Sequence, residues 1–278
     1  MQRALASLLV SVVAIVVMAM PPAVDAKPRP RPSPTPTATP SPTPTPPVPS
    51  PLPTAAPTPT ATPTIAPGYL DGIDVSYHQG TIDWVQVAAA GKRFAFVRAT
   101  AGTLTADTAY SANRSGARAA GLAVGSYHFA NPDSAPNDAT NEASWFLGNA
   151  TIASGDLVPV LDLEVSNGLD PASLSAWAQA WLAQVSAATG VRPIIYTTPN
   201  FWSTSMADTD WFARNGYSVL WIANWTTASQ PSLPAGAWGG SGWTFWQHSS
   251  AGTVPGISGP VDLDRFNGSS LPASLFVP

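Results

Sequence analysis

Eight short apolar runs with strand character recur along the chain, at 72–76, 94–100, 123–130, 157–165, 193–198, 219–224, 244–248 and 261–263. Helix-like stretches at 84–90, 105–120, 137–150, 172–189 and, more briefly, 201–215 separate the early ones. The fourth of these starts well: Asp170 is placed as an N-cap, Pro171 as the first helical residue, and Gly190 as the residue that closes it. After the sixth strand the helices fade into Gly/Pro/Ser-rich loops. Strands alternating with helices predict a parallel sheet, and eight of them predict a closed α/β barrel with helices missing from its last part.

What precedes the first strand is of another kind. Residues 1–26 carry one early charge, Arg3, then an apolar run over 4–20, then the small residues Val24 and Ala26 set for cleavage. This is the pattern of a secretory signal peptide. The run is rather long for a signal and slightly short for a span, so an uncleaved membrane anchor is the competing reading. Residues 27–67 hold more than half of the chain's 31 prolines among Thr, Ser and Ala, with almost nothing to bury. Such a tract is expected to be a disordered, stiff polyproline-like linker, with a reach on the order of 120 Å at about 3.1 Å per residue. The globular domain is therefore 68–278, long enough to bury a large core.

The chain has no cysteine, so an exported domain must be held by its core, and Cys-ligated metal sites are excluded. A net charge of −4 without a basic block argues against a nucleic-acid partner. An aromatic-rich, mildly acidic domain suits a neutral polymer such as a glycan.

Within the fourth strand, Leu157-Val-Pro-Val-Leu-Asp-Leu-Glu-Val165, the two acids Asp162 and Glu164 are spaced by two. Residues at i and i+2 share a strand face, so both carboxyls leave the strand end together. Two close, buried acids cannot both ionise cheaply, and one protonated acid beside one ionised acid is the equipment for cleaving a glycosidic bond. A solvated pair at a strand end is the plainer reading. Against it, Asp74 in the first strand and Asp262 in the eighth take similar positions, and closing the barrel sets those two strands side by side.

Four segments together resemble a known family: Gly72-Ile-Asp-Val-Ser-Tyr-His-Gln-Gly80, Gly125-Ser-Tyr-His-Phe129, Pro159-Val-Leu-Asp-Leu-Glu164 and Val261-Asp-Leu-Asp-Arg-Phe266. They look like the family 25 glycoside hydrolases, the Chalaropsis-type lysozymes or N-acetylmuramidases, across essentially all of 70–270. The resemblance implies an incomplete TIM-like barrel, (β/α)5(β)3. It also implies hydrolysis, with net retention, of the β-1,4 bond between N-acetylmuramic acid and N-acetylglucosamine in peptidoglycan. By motif, Glu164 is then the general acid. Asp162 orients the substrate's 2-acetamido group or stabilises developing positive charge, and Asp74 and Asp262 complete the acidic cluster. Whether the nucleophile is an enzyme carboxylate or the acetamido oxygen stays open.

Asp264 shares a strand face with Asp262; the family position selects Asp262, leaving Asp264 to pair with Arg265 or cap a turn. Arg98, at the end of the second strand, either bridges Asp74 or belongs to a structural ion pair. His78, His128 and His248 lack the spacing of a zinc-binding helix and read as core or rim histidines, so no metal and no cofactor are expected. Tyr127, Phe129, Tyr196 and Trp225 at strand ends are candidates for packing against sugar rings, and Gln247 for a hydrogen bond to one. Other strand aromatics, such as Trp221 and Trp246, read as core. A chitinase-type DxxDxDxE motif fails, because Leu157 and Val160 stand where it needs acids. A non-catalytic glycan-binding module on the same fold is the remaining alternative, although it would not need all four acids. The expected setting is extracellular or wall-associated, acting as a monomer on peptidoglycan strands, off the membrane once the signal is cleaved.

Overall fold

The shortness of the last connection between strands decides how the sheet closes. A computed structural model describes residues 68–278; the expected signal peptide and Pro/Thr-rich linker lie outside the described residues. In chain order the elements are β1 (Leu70–Val75), α1 (Trp84–Ala89), β2 (Phe94–Ala101), β3 (Thr105–Ala106), α2 (Tyr110–Ala119), β4 (Ala123–Phe129), α3 (Asp138–Asn149), β5 (Leu157–Asp162), α4 (Pro171–Thr189), β6 (Ile194–Thr197), α5 (Pro199–Ser205), α6 (Trp211–Arg214), β7 (Leu220–Ala223), β8 (Phe245–Gly252) and β9 (Val261–Phe266). Neighbouring strands run in the order β1-β9-β8-β7-β6-β5-β4-β2, and β1 also pairs with β2, so the ring is closed; β3 is a short antiparallel flap on β2. Strands β1, β2 and β4–β8 are mutually parallel. β9 is antiparallel to both of its neighbours. Residues 253–260, which join β8 to β9, are too few for a parallel crossover, which needs about a dozen residues or more.

This overturns the expectation of an incomplete TIM-like (β/α)5(β)3 barrel. A TIM barrel is parallel throughout, with a helix after each strand. Here the architecture is a closed, eight-stranded mixed β-barrel with few helices, of which only α2, α3 and α4 exceed seven residues. The helix expected over 105–120 loses its start to β3. That expected over 201–215 splits into α5 and α6, because Ala207 and Asp208 take left-handed φ values of 50° and 52°. The fourth expected helix is present as read: Asp170 accepts from the backbone of Ala172 and Ser173, and Gly190 ends it at φ 74°.

Two cores share the barrel wall. Inside, Phe94, Phe96, Trp221, Phe245 and Phe266 form an aromatic plug, with Phe96 stacked on Trp221 at 4.4 Å between ring centroids. Outside, Ile73, Val75, Val97, Val124 and Leu161 pack beneath Phe146, Trp177, Trp181 and Trp202 of the helices. The period-2 alternation of each strand feeds both layers. The interior is narrow enough to require glycine: a Cβ on Gly72 meets the Phe94 ring at 2.3 Å, and one on Gly125 meets Phe96 at 2.6 Å. At one end the plug is covered by Leu275, with Phe276 bridged to Leu157. The opposite end, where the parallel strands finish, is left for polar side chains. Among the described residues no helix is long and apolar enough to cross a membrane.

Candidate active site

Above the aromatic plug, the inward positions of the strands change from apolar to acidic. In β1 the series Leu70, Gly72, Asp74 ends on an acid; in β5 Val160 is followed by Asp162 and, just past the strand, Glu164. Asp262 reaches the same rim by another route. It begins the antiparallel β9 and is directly paired with Asp74, so it sits at the start of a strand rather than at an end. The four acids line one cavity of about 280 Å³. All six residues considered for substrate contact line it too: Arg98, Tyr127 and Phe129 on one side, Tyr196, Trp225 and Gln247 on the other.

Burial sets the protonation of these acids. It is the main cause holding Asp74 well above the usual carboxylate range, with the neighbouring acids Asp264 and Asp262 adding to the rise and the hydrogen bond from Gln247 opposing it. Asp162 is raised well above that range by burial and then by Glu164, with Arg98 as its counterweight. Glu164 is raised by burial and by Asp262, and Asp262 itself is pushed by burial to about 6. Asp162 Oδ1 is buried and has no hydrogen-bond partner. The hydroxyls of Tyr127 and Tyr196 are driven far up by burial and by the surrounding carboxylates, so both stay neutral donors.

Gln247 organises the opposite wall. Its Nε2 donates to Asp74 Oδ2 at 2.8 Å, while its Oε1 accepts from Tyr196 Oη at 3.2 Å and Trp225 Nε1 at 3.1 Å. Trp225 is 62% exposed at the mouth, unlike the buried Tyr127 and Tyr196. Tyr127 and Tyr196 pack against Trp221 of the plug, so they bring hydroxyls rather than open ring faces to the cavity.

Arg98 does not bridge Asp74. Its Nε donates to Asp107 Oδ2 at 3.0 Å, and that carboxylate also accepts from the backbone N–H groups of Tyr77 and Ala109. Asp107 therefore fixes Arg98 and the loop after β1 together, and nothing in the sequence marked it. The expectation for Asp264 is likewise corrected. It neither pairs with Arg265 nor caps a turn, because β9 points it inward, fully buried, where Trp221 Nε1 donates to it. Its shared face with Asp262 was the available signal. Ser76, Gln79 and Ser250 also line the cavity and were not singled out. Of the histidines, His78 is on the rim. His128 is buried on the outer face of the barrel, and His248, beside Trp246, is lowered by burial to about 4.

Paired acids, one able to hold a proton beside another that ionises, are the equipment that cleaving a glycosidic bond needs. Residues 73–257 match the family model for glycosyl hydrolases family 25, and the chain belongs to that family. It is a glycoside hydrolase of the lysozyme, or muramidase, class. It is 38% identical over 210 residues to lysozyme M1 of Streptomyces globisporus, covering 72% of this chain and 69% of that protein. It is 32% identical over 209 residues to the N,O-diacetylmuramidase of Chalaropsis sp, covering 69% and 96%. The crystal structure of the bacterial lysozyme from Streptomyces coelicolor superposes with a TM-score of 0.67 at 38% identity, over 72% of this chain and 93% of that one.

Proposed function

We propose that this protein is a secreted muramidase that hydrolyses the β-1,4 bond between N-acetylmuramic acid and N-acetylglucosamine in peptidoglycan, with Glu164 as general acid. The observation that carries the assignment within the cluster is the partnerless, buried Asp162 Oδ1 beside Glu164. An N-acetylated sugar seated in the cavity offers its acetamido N–H to that oxygen. A hydrogen bond to the ionised form favours ionisation, so substrate binding drives Asp162 towards carboxylate, aided by Arg98. Glu164, raised by burial and by Asp262, then holds the proton of the pair, ready for the leaving oxygen.

An ionised Asp162 next to the acetamido group also orients its oxygen towards the anomeric carbon and stabilises the positive charge that develops there. That arrangement supports net retention, with the acetamido oxygen or an enzyme carboxylate as nucleophile. Asp262 helps to keep the pKa of both members of the pair high, and Asp74 completes the acidic cluster. Trp225 offers an open aromatic face at the mouth, and Tyr127, Tyr196 and Gln247 offer polar atoms along the walls. The relatives' names, lysozyme and N,O-diacetylmuramidase, support the same substrate. The signal-like pattern over 1–26 and the Pro/Thr-rich composition of 27–67 support work outside the cell.

The test is digestion of purified peptidoglycan, with mass spectrometry of the released ends, by wild type and Glu164→Gln. Reducing N-acetylmuramic acid ends, absent with the variant, are expected. Reducing N-acetylglucosamine ends would reassign the bond cleaved. Binding to the wall with no new ends would make the protein a glycan-binding module.

A further inference from the structure

Glu164 lies two residues beyond the last residue of β5, outside the sheet that fixes Asp162. The backbone on its strand side is tied down: Ala130 N donates to Asp162 O at 2.9 Å, and Leu163 N to Tyr196 O at 3.0 Å. Beyond Glu164 no regular element begins until α4 at Pro171. Leu169 packs this loop against the outer core, and the side chain of Asn167 gives it a polar tie closer to Glu164. Its Nδ2 donates to Asn131 Oδ1 at 2.9 Å and to Pro132 O at 3.1 Å. Asn167 stands at φ 46°, a left-handed conformation that Asn tolerates better than most residues.

Asn131 is in turn held from below. Its backbone N–H donates to Glu142 Oε2 at 3.0 Å, and the same oxygen is 2.7 Å from His128 Nε2. Both side chains are almost completely buried on the outer face of the barrel. Burial lowers the pKa of His128 and so favours the neutral ring, although Glu142 opposes this. Nε2–H then donates to Glu142, and Nδ1 accepts from Thr100 Oγ1 at 2.7 Å. The imidazole is stacked against Trp181 at 5.4 Å between centroids. A rigid polar post thus stands on β2, β4 and α3 and ends at Asn131, beside the loop that carries the acid.

We infer that the chain His128–Glu142–Asn131–Asn167 positions Glu164 over the scissile bond, with Asn131 and Asn167 as positioning residues that never touch substrate. The inference rests on Glu164 being the general acid. It makes His128 of the Gly125–Phe129 motif a support for the acid rather than a part of the cavity, since Tyr127 and Phe129 line the cavity and His128 faces outward. Loosening the loop costs orientation at the reacting oxygen, and a misplacement of about 1 Å there is worth roughly 100-fold in rate.

The experiment is steady-state kinetics on soluble peptidoglycan fragments with the full chain and four variants: Asn167→Gly, Asn131→Ala, Asn131→Asp and Glu164→Gln. Glycine keeps the left-handed backbone at 167 and removes only the amide. Aspartate at 131 keeps the accepting oxygen, and alanine loses it. Asn167→Gly and Asn131→Ala are expected to lower kcat about 10- to 100-fold with KM within about threefold, and Asn131→Asp to restore most of the loss. Glu164→Gln is expected to be inactive. Wild-type kcat in the glycine and alanine variants, a change confined to KM, or equal damage from Asp and Ala at 131 would each overturn the positioning role while leaving Glu164 as the acid. An active Glu164→Gln enzyme would instead remove the acid assignment itself.

Discussion

Trp221 Nε1 donates to Asp264 Oδ1 at 2.8 Å beneath the acidic rim, and the other oxygen of that buried carboxyl has no partner. Burial pushes Asp264 from an ordinary 3.8 to about 8, against the help of Trp221. Asp264 therefore keeps its proton at neutral pH and lies under Asp74 as a neutral acid. Its folded-state pKa is above the unfolded value, so its stability contribution is fully present below the unfolded pKa of about 4 and is lost as pH rises to about 8. Asn at this position still accepts from Trp221 and cannot ionise. Asp264→Asn is expected to melt with wild type at pH 4 and above it at pH 8, each kcal/mol relieved raising Tm by about 2–4 °C in a domain of this size. Calorimetry at the two pH values decides it; a lower Tm than wild type at pH 8 would count against the neutral acid.

Asp262 faces Asp74 across the β1–β9 pair, and its charge is one of the two causes that raise Glu164. Asp262 ionises near pH 6, so its influence is exerted above that pH. Removing the charge should let Glu164 give up its proton sooner. In Asp262→Asn the alkaline limb of kcat/KM is expected to move to lower pH, because a general acid works only below its pKa. A profile measured from acid to mildly alkaline buffers checks this. A limb that stays in place, with activity merely scaled down, would confine Asp262 to holding substrate.

Which residues meet in the cavity was easier to read from the sequence than the barrel around them. The meeting of Asp74, Asp162, Glu164 and Asp262 was legible because each stands in or just past a strand among apolar neighbours, where a buried acid is costly and needs a reason. The sense of β9 was not legible. Its residues alternate in the same way whether the strand runs up or down, and only the brevity of 253–260 forces the reversal. Helices were over-read at 105–120 and 201–215, where the stop is made by left-handed φ at Ala207 and Asp208 and by pairing of Thr105–Ala106 with β2. Those are tertiary facts with no turn residue to announce them. Asp107, as the partner of Arg98, was hidden for the same reason, since its role depends on the loop after β1 folding across to meet it.

Gly72 and Gly125 mark where the barrel interior has no room for a side chain. The Cβ of Gly72→Ala overlaps the Phe94 ring at 2.3 Å, and Phe94 is itself packed edge-on to Phe96 and Phe245. The Cβ of Gly125→Ala meets Phe96 at 2.6 Å and Leu157 at 3.1 Å. Forcing a methyl into such a core costs typically about 1–3 kcal/mol. Both variants are expected to unfold earlier in denaturant with an unchanged slope, Gly72→Ala the more so because three ring atoms lie within 2.6 Å of the new carbon. A wild-type midpoint for Gly72→Ala would mean that the plug can shift at little cost.

Trp225 differs from the other aromatics of the site in being 62% exposed, so its ring face is available at the mouth and its removal leaves the core intact. Its indole N–H donates to Gln247 Oε1, the oxygen that also accepts from Tyr196, so Gln247 keeps one donor when Trp225 is lost. A sugar ring lying on that face gains contact in both ground and transition states, which is binding that lowers KM without raising kcat. Trp225→Ala is expected to raise KM on soluble peptidoglycan fragments about tenfold, equivalent to about 1.4 kcal/mol, with kcat nearly constant and Tm unchanged. Trp225→Phe keeps the face, loses the hydrogen bond, and is expected to recover most of the affinity. If Phe were as poor as Ala, the N–H to Gln247 and not the ring face would be what Trp225 contributes, and the open aromatic surface would have to be assigned elsewhere on the rim.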